Sequence, residues 1–354
     1  MASYRRRLTQ DLDGWIAAGL VPAESRGAIL DSTGEVQRLD AAAALGIVGG
    51  LLAGVAVIAF VAANWSQIPR LARFALILAA FLGAAGGAAW TSGRGRPITS
   101  QVLLCVAALV FAAAIGLTGQ IFDIAGDPQT ALRGAGLAAA VLALAGRAPW
   151  VAAVGLVALG LGDVTHNRTF VAEVSPWPGW LVVAAPLGAA VALAWRSQAL
   201  AHAAGLAALA AVLTFDAALR SGAETLFLIA ALVSALAAAG ARALRDRFEG
   251  PAGVLYGWCA AGALIWFGAS GFSSDVKSVA HSLGWMLLAV GALALGRHDR
   301  QASVTAVGVL GLVSAGATLL FNLGVGLLTS AAVFGGAAAM ALAVAFMLRR
   351  GRAT

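Results

Sequence analysis

After residue 42 the chain is built from apolar stretches of about twenty residues with few charges, separated by short polar connections. A helix rises 1.5 Å per residue, so roughly 20 apolar residues cross the ~30 Å hydrocarbon core of a bilayer. Twelve such runs can be read, at residues 43–63, 70–90, 99–119, 129–146, 149–164, 177–195, 199–219, 223–240, 251–270, 277–296, 301–320 and 324–348. The expected fold is all-α, a polytopic helical bundle in the membrane. Most connections are shorter than ten residues, which makes sequential helices antiparallel neighbours. The expected organisation is a helical segment over 1–42, a transmembrane domain over 43–348 and a basic tail over 349–354.

Composition agrees. Apolar residues make up 61% of the chain and charged residues only 11%, against roughly 25% charged in an average soluble domain. Mean hydropathy is +0.89. A soluble globular protein, a disordered chain and a nucleic-acid-binding domain are all excluded, and the lipid bilayer is the first expected partner.

The net charge of +7 comes from 23 Lys and Arg against 16 Asp and Glu. In a membrane protein this reports orientation. With a cytoplasmic N-terminus and twelve spans, 17 basic residues fall inside and 6 outside. Both termini are therefore expected in the cytoplasm, in a bacterial inner membrane. Trp65, Trp90, Trp150, Trp177, Trp180 and Trp195 fall at predicted span ends, where an amphipathic ring prefers to sit. Arg5, Arg6 and Arg7 look like the start of a signal peptide, but no apolar segment follows for some thirty residues. The first span is expected to be its own uncleaved insertion signal. Cys105 and Cys259 lie inside apolar runs and read as small core residues, not as ligands or a disulfide.

Within the N-terminal segment, Leu8, Leu12, Trp15 and Ile16 share one helical face. Gly19 is expected to end that helix, and Pro22 and Glu24 to start a second. Ser32 and Glu35 have capping-box spacing for a third. The segment is either a hairpin that packs on itself or the membrane or, over residues 8–30, a module for a protein partner or self-association.

Catalytic signatures are missing. The single lysine, Lys277, sits in no phosphate-binding loop, and His166, His202, His281 and His298 have no metalloprotease spacing. There is no nucleophile elbow and no dinucleotide-binding glycine pattern. No cofactor, metal or catalytic residue is expected. Gly46, Gly50 and Gly54 give the clearest close-packing spacing, with weaker pairs at Gly83/Gly87 and Gly253/Gly257.

Polar residues instead gather at the outer ends of odd-numbered spans, where burial makes them default site candidates. The densest group is Asn64, Trp65, Gln120, Asp123 and Asp127, with Arg70, Arg73 and Arg133 as counter-charges. Asp163, His166 and Asp216 are secondary candidates, and Asn322 ends the eleventh span. The plain alternative is that these groups cap helix ends.

These residues carry a resemblance. Leu12-Asp-Gly-Trp15 with Gly19-Leu20-Val21, Ala63-Asn64-Trp65 with Ile68-Pro69-Arg70, and Gly119-Gln120-Ile121 before Gly126-Asp127-Pro128 resemble the bacterial predicted-membrane-protein family known as domain of unknown function 2157. The resemblance is specific over residues 8–135. It implies membrane location and topology, and no chemistry.

Three functions fit. A transport-like protein suits twelve short-looped spans, although the expected central loop is only Arg196-Ser197-Gln198. An enzyme on a lipid-linked substrate would need a carboxylate in the first outer loop, and Asn64–Arg70 has none. An assembly or sensing scaffold would use the N-terminal stripe. Transport of a small solute ranks first, through an outward-facing polar pocket.

Overall fold

The computed structural model describes residues 2–32, 67–123, 126–166, 179–215, 222–273, 279–326, 329 and 335–336. It divides into two compact units, Met1–Pro69 and Arg70–Thr354. Every regular element among the described residues is a helix.

In the first unit, α1 (Ala2–Ala17) and α2 (Ser25–Ser32) are joined by a turn. Gly19 adopts φ +70°, and this left-handed residue closes α1. The Leu20 N–H donates to the Trp15 carbonyl at 2.9 Å, and the Gly19 N–H to Ile16 at 3.0 Å, which is the Schellman pattern. Arg26 Nε donates to Asp13 Oδ1 at 2.8 Å across the turn. Leu12 is fully buried, while Trp15 on the same stripe is 44% exposed. The capping-box residues beyond Ser32 lie outside the described residues.

The second unit holds α3 (Arg70–Gly93), α4 (Pro97–Phe122), α5 (Pro128–Gly146), α6 (Pro149–His166), α7 (Leu181–Ala194), α8 (Gln198–Val212), α9 (Ala223–Ala243), α10 (Pro251–Ser273), α11 (Val279–His298) and α12 (Ala302–Asn322). The ten predicted spans from 70–90 to 301–320 fall on these helices. The predicted first span, and most of the last, lie outside the described residues. Among the described residues, seven helices are long and apolar enough to cross a membrane; α6, α7 and α8 contribute shorter apolar stretches. The expected span 199–219 ends early, at Val212. There the N–H groups of Leu213, Thr214 and Phe215 turn to carbonyls three residues back, and the Thr214 hydroxyl donates to Ala211 O at 2.6 Å, so the last turn tightens into 3₁₀ geometry.

Sequence neighbours form the most extensive pairs: α3 with α4, α5 with α6, α7 with α8, α9 with α10, and α11 with α12. The joining turns lie at one end of the unit, called here the turn end. Four of them share one design. A residue in the left-handed region (Gly95, Arg147, Arg196 or Arg300) precedes a helix-starting residue by two positions. The next N–H reaches back five residues, from Arg96 to Thr91, Ala148 to Ala143, Ser197 to Ala192 and Gln301 to Gly296. These bonds satisfy carbonyls that a helix end would leave open. Arginine, a costly choice for this conformation, puts a cation against the negative end of the helix dipole.

Glycine lets backbones meet within hairpins. A Cβ at Gly136 would lie 2.9 Å from the Gly155 carbonyl, so α5 and α6 touch main chain to main chain. The innermost long helix is α10, with 56% of its apolar stretch buried against 11–22% for the other six. Large exposed side chains such as Leu82, Leu144 and Leu236 cover outer faces, as expected where the solvent is lipid.

Candidate functional site

At the opposite end, called the loop end, α4 and α5 diverge. Asp123 closes α4 in the left-handed conformation (φ 52°), its N–H bonded to the Gly119 carbonyl. Asp127 caps α5 ahead of Pro128, a proline at the position where no N–H is needed. It accepts from the Thr130 hydroxyl at 2.7 Å, the Thr130 N–H at 3.0 Å and the Gln129 N–H at 3.2 Å. The Thr130 hydroxyl, above all, holds the Asp127 carboxyl below its ordinary range; backbone donors and nearby Arg133 add to this.

Between these helices lies a cavity of about 570 Å³, walled by Ala112, Ile115, Gly116 and Gly119 on one side and by Pro128, Ala131, Leu132 and Ala135 on the other. Asp123 and Asp127 line its loop end. Arg70, in the first turn of α3, donates through Nη2 to Asp123 Oδ2 at 2.9 Å, and both side chains are exposed. Phe74 and Phe122 meet edge to face at 6.1 Å beside this pair.

Arg133 is engaged elsewhere. Its Nε donates to Asp163 Oδ1 at 2.8 Å, and the Asp163 side chain is fully buried. The other carboxylate oxygen accepts the Leu181 N–H at 2.8 Å. Gly179, at φ +102°, leaves room for the carboxylate; a Cβ there would lie 2.7 Å from Oδ2. Asp163 thus fastens α5, α6 and the start of α7.

The structure therefore gathers Asp123 and Asp127 at one cavity, pairs Arg70 with Asp123 and gives Arg133 and Asp163 to a buried clasp. Gln120 lies in α4 between Gly119 and Ile121, and His166 ends α6. Asn64, Trp65 and Asp216 lie outside the described residues. Asn322 donates to the Ser282 hydroxyl at 3.0 Å, tying α12 to α11. Cys105 and Cys259 are free thiols, partly buried. Among the described residues, no group of three His, Cys, Asp or Glu side chains could hold a metal ion.

One cluster carries no recognisable motif in the sequence. At the turn end, Arg242 grips Asp299 through Nε at 2.6 Å and Nη2 at 2.9 Å. Tyr256 donates its hydroxyl to Asp299 Oδ2 at 3.2 Å, and Arg245 Nη1 donates to the Asp299 carbonyl at 3.1 Å. The Arg242 hydrogen bonds, first of all, hold the Asp299 carboxyl below its ordinary range. Nearby, Gln198, Arg245, Asp246, Glu249 and Gln301 line a polar cavity of about 620 Å³. The available signal is an aspartate in a turn full of arginines, in a chain with few charges.

These helices, with lipid-like exposed faces, define a multi-pass helical membrane protein. Residues 13–152 match the family model described as "Predicted membrane protein (DUF2157)". That stretch runs from within α1 to the first turn of α6 and includes the whole α4–α5 cavity with its two aspartates. No curated protein and no solved structure matches the chain.

Proposed function

We propose that the protein is transport-like and sits in the bacterial cytoplasmic membrane, taking a small amphiphilic cation into the α4–α5 cavity. The observation that carries this reading is the cavity itself, with apolar walls of small residues and a loop end bearing Asp123 and Asp127. An apolar body would lie along Gly116 and Gly119, and a cationic end would meet the carboxylates. The exposed Arg70–Asp123 pair is a weak lock, since such pairs contribute about 0–1 kcal/mol, so a ligand can displace the guanidinium. The arginine-rich turns favour a cytoplasmic turn end, which would open the cavity outward.

Ethidium, a fluorescent amphiphilic cation, makes a direct probe in DNA-loaded proteoliposomes. The protein should give saturable entry. Gly116→Leu should abolish it with an unchanged melting temperature, because the space beside Gly116 is empty and the added side chain fills the cavity. Wild-type entry no faster than in protein-free liposomes would sink this reading.

The exposed Trp15 beside buried Leu12 on α1 supports a second role for the N-terminal unit, as a docking module for a protein partner.

A further inference from the structure

A second cavity, of about 600 Å³, runs between α9 and α11 over α10. Its walls are long side chains, Leu228 and Leu232 on α9 and Leu287, Leu288 and Leu295 on α11, and its floor on α10 includes Ala260 and Ala263. It ends, at the turn end, on Arg242 and Tyr256. From Leu228 to Arg242 the groove follows α9 for ~21 Å at 1.5 Å per residue, more than half of the ~30 Å hydrocarbon core. We propose that this groove is a lipid site, holding one acyl chain of an anionic phospholipid with its phosphate on Arg242 and Arg245.

Shape and charge favour the same occupant. The walls are apolar and remain partly exposed, with Leu232 61% and Leu287 74% open, and the molecule most abundant beside them in a bilayer is an acyl chain. The polar end is not a bare charge. Asp299 takes the Nε–Nη2 edge of Arg242 and fixes the plane of the guanidinium. Its Nη1 group has no hydrogen-bond partner among the described residues, so a phosphate oxygen can complete its donor set. Tyr256, buried and bonded to the same carboxylate, keeps Asp299 turned toward the arginine and away from the groove. Arg245 and Arg247 add positive charge in the adjoining turn, and Arg297 lies in the last turn of α11. An anionic headgroup is therefore preferred over a zwitterionic one. The site is distinct from the α4–α5 cavity and does not depend on its role.

Native mass spectrometry of the full-length protein, released from mixed micelles of dioleoyl phosphatidylglycerol and dioleoyl phosphatidylcholine, tests the proposal. The wild type should retain one phosphatidylglycerol at least tenfold in preference to phosphatidylcholine. Arg242→Gln/Arg245→Gln should lose that preference. Ala263→Phe, which fills the groove floor and leaves the arginines intact, should lose retention of both lipids. Inorganic phosphate should not compete. Equal retention of the two lipids by the wild type, or undiminished phosphatidylglycerol on a folded Ala263→Phe variant, would overturn it. So would a quantitative disulfide between Leu232→Cys and a cysteine placed in 324–348, because that segment would then be the occupant.

Discussion

Arg133 Nε and Asp163 Oδ1 stand 2.8 Å apart, and the aspartate side chain of this pair is wholly out of solvent. A buried carboxylate of this kind is held by its partners: the guanidinium on one oxygen and the Leu181 N–H on the other. Removing one partner leaves an uncompensated charge, which costs about 3–5 kcal/mol.

Arg133→Met should therefore lower stability by roughly that amount, and Gly179→Ala should also destabilise, because its Cβ would press on Asp163. Arg133→Met/Asp163→Leu should recover much of the loss, since a replaced pair leaves no bare charge. Thermal unfolding in detergent measures all three. A single Arg133 variant as stable as wild type would show that the clasp contributes nothing.

Asp127 caps α5 with three hydrogen bonds, and Asp127→Ala should cost about 0.5–2 kcal/mol. The pH dependence has a definite sign. The folded-state pKa is lowered, so the stabilisation is complete above the ordinary carboxylate range, near 4. It is lost as pH falls through the depressed folded value. Asp127→Ser, a cap with no titrating group, should show a flatter acid limb. Parallel melting curves from pH 7 to pH 3 compare the two.

The left-handed arginines make opposite demands on stability and topology. Replacing Arg147, Arg196 or Arg300 with glycine relieves a backbone cost of about 1–2 kcal/mol and loses a dipole interaction of about 0.3–1 kcal/mol. Each single variant should be between as stable as wild type and about 1.7 kcal/mol more stable on these terms, whereas Arg196→Val should be less stable than wild type, a β-branched residue being the poorest fit at positive φ. The triple glycine variant should insert partly inverted, because it removes the arginines of two turns and one of the two in the turn that holds Arg297. Reporter fusions after Arg196 and Arg352 should read cytoplasmic in the wild-type background, and a periplasmic signal at either would mean an odd number of miscounted spans before it.

Apolar run length made α3 to α12 legible, because a segment that must satisfy its own backbone in lipid has little choice but helix. Gly19 and Asp127-Pro128 were legible as a helix stop and a helix start, since φ above zero and a missing N–H are local demands. Four features were not. Nothing local predicts that Val212 ends α8, where a threonine hydroxyl competes for the backbone. Arginine, where glycine fits the backbone best, takes three of the left-handed turn positions. The Asp299 cluster joins residues 57 and 43 positions apart, a distance over which one sequence carries no pairing signal. Arg133 sits near Asp127 in sequence, yet its hydrogen bond goes to Asp163, 30 residues on.

The five hairpins also bear on how the protein assembles. The largest helix contacts lie between sequence neighbours joined by turns of a few residues, so loop-closure entropy is small and contact order is low. Each pair can close as soon as its second helix leaves the ribosome, before the next pair exists. A chain stalled soon after α6 should already hold Gly136 against Gly155, and Gly136→Leu, for whose side chain there is no room, should lose the protease protection of that hairpin on the nascent chain. The Leu181 N–H bond to Asp163 must wait for α7, and it fastens one finished hairpin to the next.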